Sequence, residues 1–183
     1  MLLRSMPLRS DEEKLVLLLL AMKIDGIKDE ERKLFNEVAK DYGIDDTKEI
    51  KAKAKELLSL DEPINEVFEE YAKEVIQVGK YYAQDNAKFL WTLINMGFID
   101  KDYSDNERKL VDSYCEIAKI DKAIARQMED IARSISVMLE QKDFVDNSTL
   151  KVSKAKIMCE ELDKSETILK KQISELITLS ATL

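Results

Sequence analysis

Leu15-Val16-Leu17-Leu18-Leu19-Leu20-Ala21-Met22, followed by Ile24-Asp25-Gly26 and then Glu31-Arg32-Lys33-Leu34, decides the fold, because the chain writes this pattern twice. The second copy runs from Phe89 to Met96, through Ile99-Asp100, to Glu107-Arg108-Lys109-Leu110. Both copies leave on Ile-Asp, at Ile44-Asp45 and Ile120-Asp121. From Glu31 to Asp46 and from Glu107 to Lys122 they align without a gap. Upstream they differ, since Asp25 lies six residues before Glu31 and Asp100 lies seven before Glu107. Each copy reads as an apolar helix, an acidic loop and an amphipathic helix. An internal repeat of this kind sets the architecture before any other feature.

A length of 183 residues suits one domain, or a domain with an extension. Apolar residues make up 45%, enough for a core, and with 4 Gly and 2 Pro few turns need special backbone angles. Abundant Leu, Ile, Lys, Glu and Ala beside so little Gly and Pro predicts an all-α protein. The net charge of −8 disfavours nucleic acid and anionic membrane surfaces as partners, and makes cations and basic protein surfaces the natural counterparts. There is no histidine, which removes the usual general base and the commonest zinc ligand. Cys115 and Cys159 show no metal-site spacing and no disulfide framework, consistent with a reduced, cytoplasmic setting. The run Leu15 to Met22 is preceded by Asp11, Glu12 and Glu13 where a signal peptide carries positive charge, and it is too short to span a bilayer. It reads as a buried core helix, and no integral membrane segment is expected.

Working outward, residues 1–10 read as an N-terminal tail, with Ser10 or Asp11 capping a first helix that reaches Ile24. A second helix covers Asp29 to Tyr42 and closes on Gly43; a third follows Asp45-Asp46 and stops near Leu60. Asp61-Glu62-Pro63 opens a fourth, whose apolar stripe runs from Ile64 through Val75 and Val78 to Tyr82. A fifth, from Ala87 to Met96, repeats the first, and a sixth, from Asn106 to Lys119, repeats the second. Asp121 caps a seventh carrying Ile124 to Leu139, and Phe144 to Ser148 reads as a connection. The expected fold is therefore a bundle of about seven helices over residues 11–145, built from related repeats near 14–60 and 88–140, plus a C-terminal amphipathic helix within 146–183. In that helix Leu162, Leu169 and Leu176 recur every seven residues, with Met158, Ser165, Gln172 and Leu179 in the alternate seam position. It either packs back on the bundle or serves as a dimer or partner helix.

The acidic loops admit two readings. Asp25, Asp29, Glu30 and Glu31 crowd one loop, and Asp100, Asp102, Asp105 and Glu107 the other. Carboxylates favour the first turn of a helix, so capping explains them without a ligand. Alternatively, if the two hairpins bring the loops together, a divalent cation relieves the repulsion, and an all-oxygen donor set suits Ca²⁺, Mg²⁺ or Mn²⁺. The stretch from Asp100 to Val111 is not an EF-hand loop: its sixth residue is Asp105 rather than Gly, and its twelfth is Val111 rather than Glu.

The Leu-rich helix, Ile24-Asp25-Gly26, Glu30-Glu31-Arg32 and the amphipathic helix that follows resemble the tellurite-resistance TerB-like family. The resemblance covers residues 11–141 and excludes the last helix. It implies an all-α domain of two helical hairpin repeats whose candidate metal ligands are, by position, Asp25, Glu31, Asp100 and Glu107. It also implies a bacterial or phage-related stress or defence setting, as a module in larger assemblies rather than an enzyme. The chain departs from the family at Lys101, where Gly is usual, and in its shorter first loop. An ammonium at Lys101 is an alternative way to neutralise the cluster.

Trp91, Tyr81 and Tyr82 fall at helical spacing and are expected in the core, as is Cys115. The chain has no Ser/His/Asp, Cys/His or phosphate-loop arrangement. The expected function is a non-enzymatic TerB-like module holding a divalent cation in its interhelical loops. The alternative is an acidic protein-interaction or inhibitor-type module without metal, with another protein as partner and self-association through the C-terminal helix. A metal-assisted hydrolase built on the acidic cluster is a third, weaker reading.

Overall fold

The computed structural model describes residues 8–99 and 103–180. They form eight α-helices, and no strand occurs among the described residues: α1 (Ser10–Met22), α2 (Asp29–Asp41), α3 (Lys48–Leu57), α4 (Ile64–Val75), α5 (Ala83–Ile99), α6 (Asp105–Ala118), α7 (Lys122–Asp146) and α8 (Val152–Ser180).

The two apolar runs become the two central helices. α1 buries Leu15, Val16, Leu17, Leu18, Leu20 and Met22 because helices lie on nearly all its sides: α2, α3, α4 and α5 all pack against it. α5 holds the same position in the second half, surrounded by α6, α7, α8 and α1. The packing repeat thus reaches four helices per half, with α8 lying on α5 as α4 lies on α1. Across the halves, α4 packs on α6 and α2 on α5. Full burial of each Leu or Phe contributes about 1.5–3 kcal/mol, which makes these helices the main source of stability.

The repeated exits share their hydrogen bonding. The Ile44 N–H donates to the Ala39 carbonyl at 2.9 Å, and the Ile120 N–H to the Cys115 carbonyl at 2.9 Å, with each Ile buried. This is a Schellman-type closure, which needs a left-handed residue just before the Ile. Gly43 supplies it in the first copy at φ 69°; Lys119 supplies it in the second at φ 58°, without glycine's freedom.

The halves differ in α7 and α8. α3 and α4 are 10 and 12 residues long, whereas α7 and α8 are 25 and 29. α7 has one fully buried residue beyond Ala132, namely Val145, and the buried residues of α8 all lie near its C-terminus, at Ile173, Leu176 and Ile177. The rest of both helices forms an antiparallel two-helix arm standing off the bundle. Its seam from α8 is Ala155, Cys159, Leu162, Glu166, Leu169 and Ile173. The leucine positions are those expected, but the alternate position is one residue later than the sequence suggests, since Met158, Gln172 and Leu179 are exposed. Lys142 of α7 selects this register. Its ammonium reaches Asp163 Oδ1 at 2.7 Å and Glu166 Oε2 at 2.5 Å, and a polar pair in a seam fixes the register of the flanking apolar layers.

Other expectations are corrected. α4 stops at Val75 rather than reaching Tyr82, because Ile76 turns extended. Tyr82 is 37% and Tyr81 89% exposed, and neither belongs to the core, whereas Trp91 packs partly buried against it. Phe144 belongs to α7 rather than to a connection. The N-cap of α1 is Arg9, whose N–H is taken by Glu12 at 2.7 Å.

Candidate functional site at the junction of the two hairpins

The loop between α1 and α2 and the start of α6 meet. Asp25, in the first loop, accepts a hydrogen bond at Oδ2 from the hydroxyl of Ser104, the N-cap of α6. Ser104 and Glu107 form a capping box: the Glu107 N–H donates to Ser104 Oγ at 3.1 Å, and Glu107 Oε2 accepts the Ser104 N–H at 2.7 Å. Glu31 does the matching work in the first copy, accepting the Lys28 N–H at 2.7 Å, although Lys28 has no hydroxyl to complete a standard box. Glu31 is 4% exposed, an unusual burial for a carboxylate.

Glu31 and Glu107 also line one small cavity, walled by Leu93, Met96, Gly97 and Leu110. Its volume of about 10 Å³ is near the lower limit for a single water or a bare ion. Three of the four expected ligands, Asp25, Glu31 and Glu107, are thus gathered at one junction; the fourth, Asp100, lies outside the described residues, as do Lys101 and Asp102. Among the described residues no group of three or more His, Cys, Asp or Glu side chains is arranged to hold a metal. One oxygen of Glu31 and one of Glu107 are engaged in helix capping, so capping accounts for the position of both residues.

A second cluster braces this junction. Glu129 of α7 is 1% exposed and receives three donors: the Tyr103 hydroxyl at 2.9 Å, Arg108 Nη2 at 2.9 Å, and Arg126. Arg126 also pairs with Asp112. Tyr103 stacks on Phe98 with ring centroids 4.4 Å apart. Burial first, and then the adjacent Glu129 carboxylate, push the Tyr103 phenol far above its ordinary value, so it stays a donor. Gly97 makes room for this: a Cβ there would lie 2.5 Å from Tyr103 Cδ2 and 3.2 Å from Glu107 Oε1. The cluster ties α5, α6 and α7 to the segment that leads into α6. Lys14 makes a similar link on α1, its buried ammonium 2.7 Å from Asp85 Oδ2.

Sequence reading missed most of this brace. Ser104-Asp105-Asn106-Glu107 is a capping-box signature and was legible as such. Glu129 sits among Ala125, Met128 and Ala132, all buried, so its helical position marked it as an inward charge needing donors.

A different surface stands out on the arm. Val137, Phe144 and Met158 are exposed, Phe144 by 73%, and they flank a groove of about 800 Å³ whose floor includes Val145 and Leu162. A second groove of about 570 Å³ lies at the base of the arm, over Ile131, Leu176 and Leu179. No helix among the described residues is long and apolar enough to cross a membrane.

Comparison of this chain with known families, curated proteins and solved structures finds no match.

Proposed function

We propose that the chain is a non-enzymatic, TerB-like helical module that works by protein contact, with α1–α6 as scaffold and the α7–α8 arm as the contact surface. The observation that carries this is the exposed apolar set Val137, Phe144 and Met158 beside an open groove, on helices extended far beyond their counterparts in the first half. Clustered exposed apolar side chains with an aromatic residue among them mark interaction sites rather than ordinary surface. The resemblance to TerB-like proteins supports a bacterial or phage-related stress or defence setting for that contact. Affinity capture from the native host with the parent chain and with Phe144→Asp tests it. The expected result is a stoichiometric partner retained by the parent and lost by the variant. Retention by both would place the contact elsewhere.

A second reading is favoured by the shared cavity of Glu31 and Glu107: a hard divalent cation bound between the hairpins, with Asp25 and Asp100 as further ligands. A ligand that binds only the folded state adds about 2.7 kcal/mol at 100 times its Kd. Ca²⁺ or Mn²⁺ is then expected to raise the melting temperature of the parent and not of Glu31→Gln. An unchanged melting temperature and no calorimetric heat with Ca²⁺, Mg²⁺ and Mn²⁺ would remove this reading.

A further inference from the structure

We propose that the occupant of the arm is a basic amphipathic helix from another protein, laid along the open side of the α7–α8 pair. This rests on the reading of the arm as a contact surface and adds the chemistry of what it contacts.

Three features of the arm select a helix. First, α7 and α8 already pair through a heptad seam, and the two grooves lie on one side of it, at the tip over Val145 and Leu162 and at the base over Ile131 and Leu176. Leu162 belongs to the seam, and Val145 and Leu176 are buried beside these openings, so the grooves expose the edge of the α7–α8 packing, where a third helix of a coiled coil would sit. Second, the apolar residues on the walls recur at helical intervals: Val137 and Phe144 on α7 are seven residues apart. Third, the two grooves, separate from each other between Ile131 and Val137, together span α7 from Gln127 to Val145, about 27 Å at 1.5 Å per residue. A segment of about five turns with apolar residues at i, i+3, i+4 and i+7 matches that length and pattern.

The charge on the walls selects the partner. Asp130 and Glu175 border the basal groove, and Glu140 and Glu161 the distal one. No Lys or Arg lines either groove among the described residues. Asp130 and Glu175 each have an exposed cation on their own helix, Arg133 and Lys171, both at 3.7 Å, and Glu140 is not without a partner either, which weakens but does not reverse the acidic character. A second copy of this chain docked groove to groove would set four carboxylates against four more, with no lining cation between them. Lys or Arg flanking the apolar stripe of a foreign helix would instead meet a carboxylate at each end of the groove.

The test uses the full chain and two synthetic 21-residue helical peptides with the same Leu stripe, one flanked by Lys and one by Glu. Binding is followed by fluorescence anisotropy, with sedimentation of the chain alone alongside. The Lys peptide is expected to bind in a salt-sensitive manner and the Glu peptide at least tenfold more weakly. Phe144→Asp is expected to weaken the Lys peptide at least tenfold, and Glu140→Lys with Glu161→Lys to shift preference toward the Glu peptide. All three positions are on the surface, so unchanged melting temperatures are expected and confirm folding. Equal binding of both peptides, or Lys-peptide binding unmoved by either variant, would overturn the proposal. A chain that sediments as a dimer, turned monomeric by Phe144→Asp, would replace the foreign helix with a second copy and leave the contact-surface reading standing. A monomer that binds neither peptide would overturn this proposal, while the contact-surface reading would stand or fall on the affinity capture.

Discussion

Asp25 and Ser104 join the two hairpins at the point where each chain segment turns into its second helix, with the serine hydroxyl donating to the aspartate while its oxygen caps α6. The two copies of the repeat are therefore linked through the acidic loops themselves, and not through their helices alone.

Removing this link has a measurable cost. Ser104→Ala loses both the cap and the cross-hairpin bond, and is expected to destabilise by about 1–2 kcal/mol, read from urea unfolding. Asp25→Asn keeps a side-chain oxygen that can accept and is expected to cost about half that or less. Equal losses from both would mean that the Asp25 charge, rather than the hydrogen bond, carries the link.

The Glu129 brace gives a steeper gradient. Tyr103→Phe removes one neutral donor and is expected to cost about 1 kcal/mol. Glu129→Ala leaves Arg108 and Arg126 without their shared carboxylate, and because both guanidiniums reach water the loss is set at about 2–3 kcal/mol, below the range for a sealed ion pair. Gly97→Ala forces the Tyr103 ring to move and is expected to destabilise as well. A Tyr103→Phe background in which Gly97→Ala costs as much as before would show that the ring, not its hydroxyl, sets the clash.

The seam of the arm titrates at both ends of the pH scale. Hydrogen bonds from Lys142 and then Lys170 hold Glu166 below the usual carboxylate range. Its contribution is present above the unfolded value of about 4.3 and is lost as pH falls through the lower folded value. Lys142 is held above the ordinary lysine range by Asp163 and then Glu166. Its contribution is present below the unfolded value of about 10.4 and is lost as pH rises through the higher folded value. Glu166→Gln is thus expected to flatten the loss of thermal stability below about pH 4, and to flatten the alkaline side only in part, because Asp163 remains. An acid limb identical to the parent's would rule out Glu166 as its source.

The thiols separate cleanly. Burial pushes Cys115 up to about 12; desolvation and then Asp146 also raise Cys159, but it is only half-buried on the arm. One equivalent of a thiol reagent is expected to react with the folded chain, faster as pH rises above about 8, and the second only on unfolding. Prompt reaction of both would mean that α6 opens locally far below the global unfolding energy.

How much of this was readable in advance follows from what each residue's signal depends on. Leu15 to Met22 and its second copy at Phe89 to Met96, interrupted only by Thr92 and Asn95, forced two buried helices, because apolar runs of that length have nowhere else to go. The register of α8 was not readable from its leucines, since Leu162 is followed at seam spacing by either Ser165 or Glu166. Apolar counting prefers the row with Met158 and Leu179; the structure uses the row with Cys159 and Glu166, because Lys142 lies opposite. Asp25, Glu31 and Glu107, read from the sequence as candidate metal ligands, lie in one neighbourhood, but the hydrogen bonds they make there depend on Ser104 and on local backbone geometry. The inward position of Glu129 was readable from its neighbours on α7, but its partners Tyr103 and Arg108 come from other elements, and a single helix pattern does not show them.

Residues 98–183 contain neither glycine nor proline, and α7 within them is about 37 Å long at 1.5 Å per residue. Its first turns hold Glu129 and its last hold Phe144, with no softened joint between. Such a helix acts as a lever: a tilt of about 5° at Glu129 displaces Phe144, about 22 Å further along the axis, by about 2 Å. A load applied at the tip is therefore felt at Tyr103, and with it at the segment leading into α6, as leverage and not as bending.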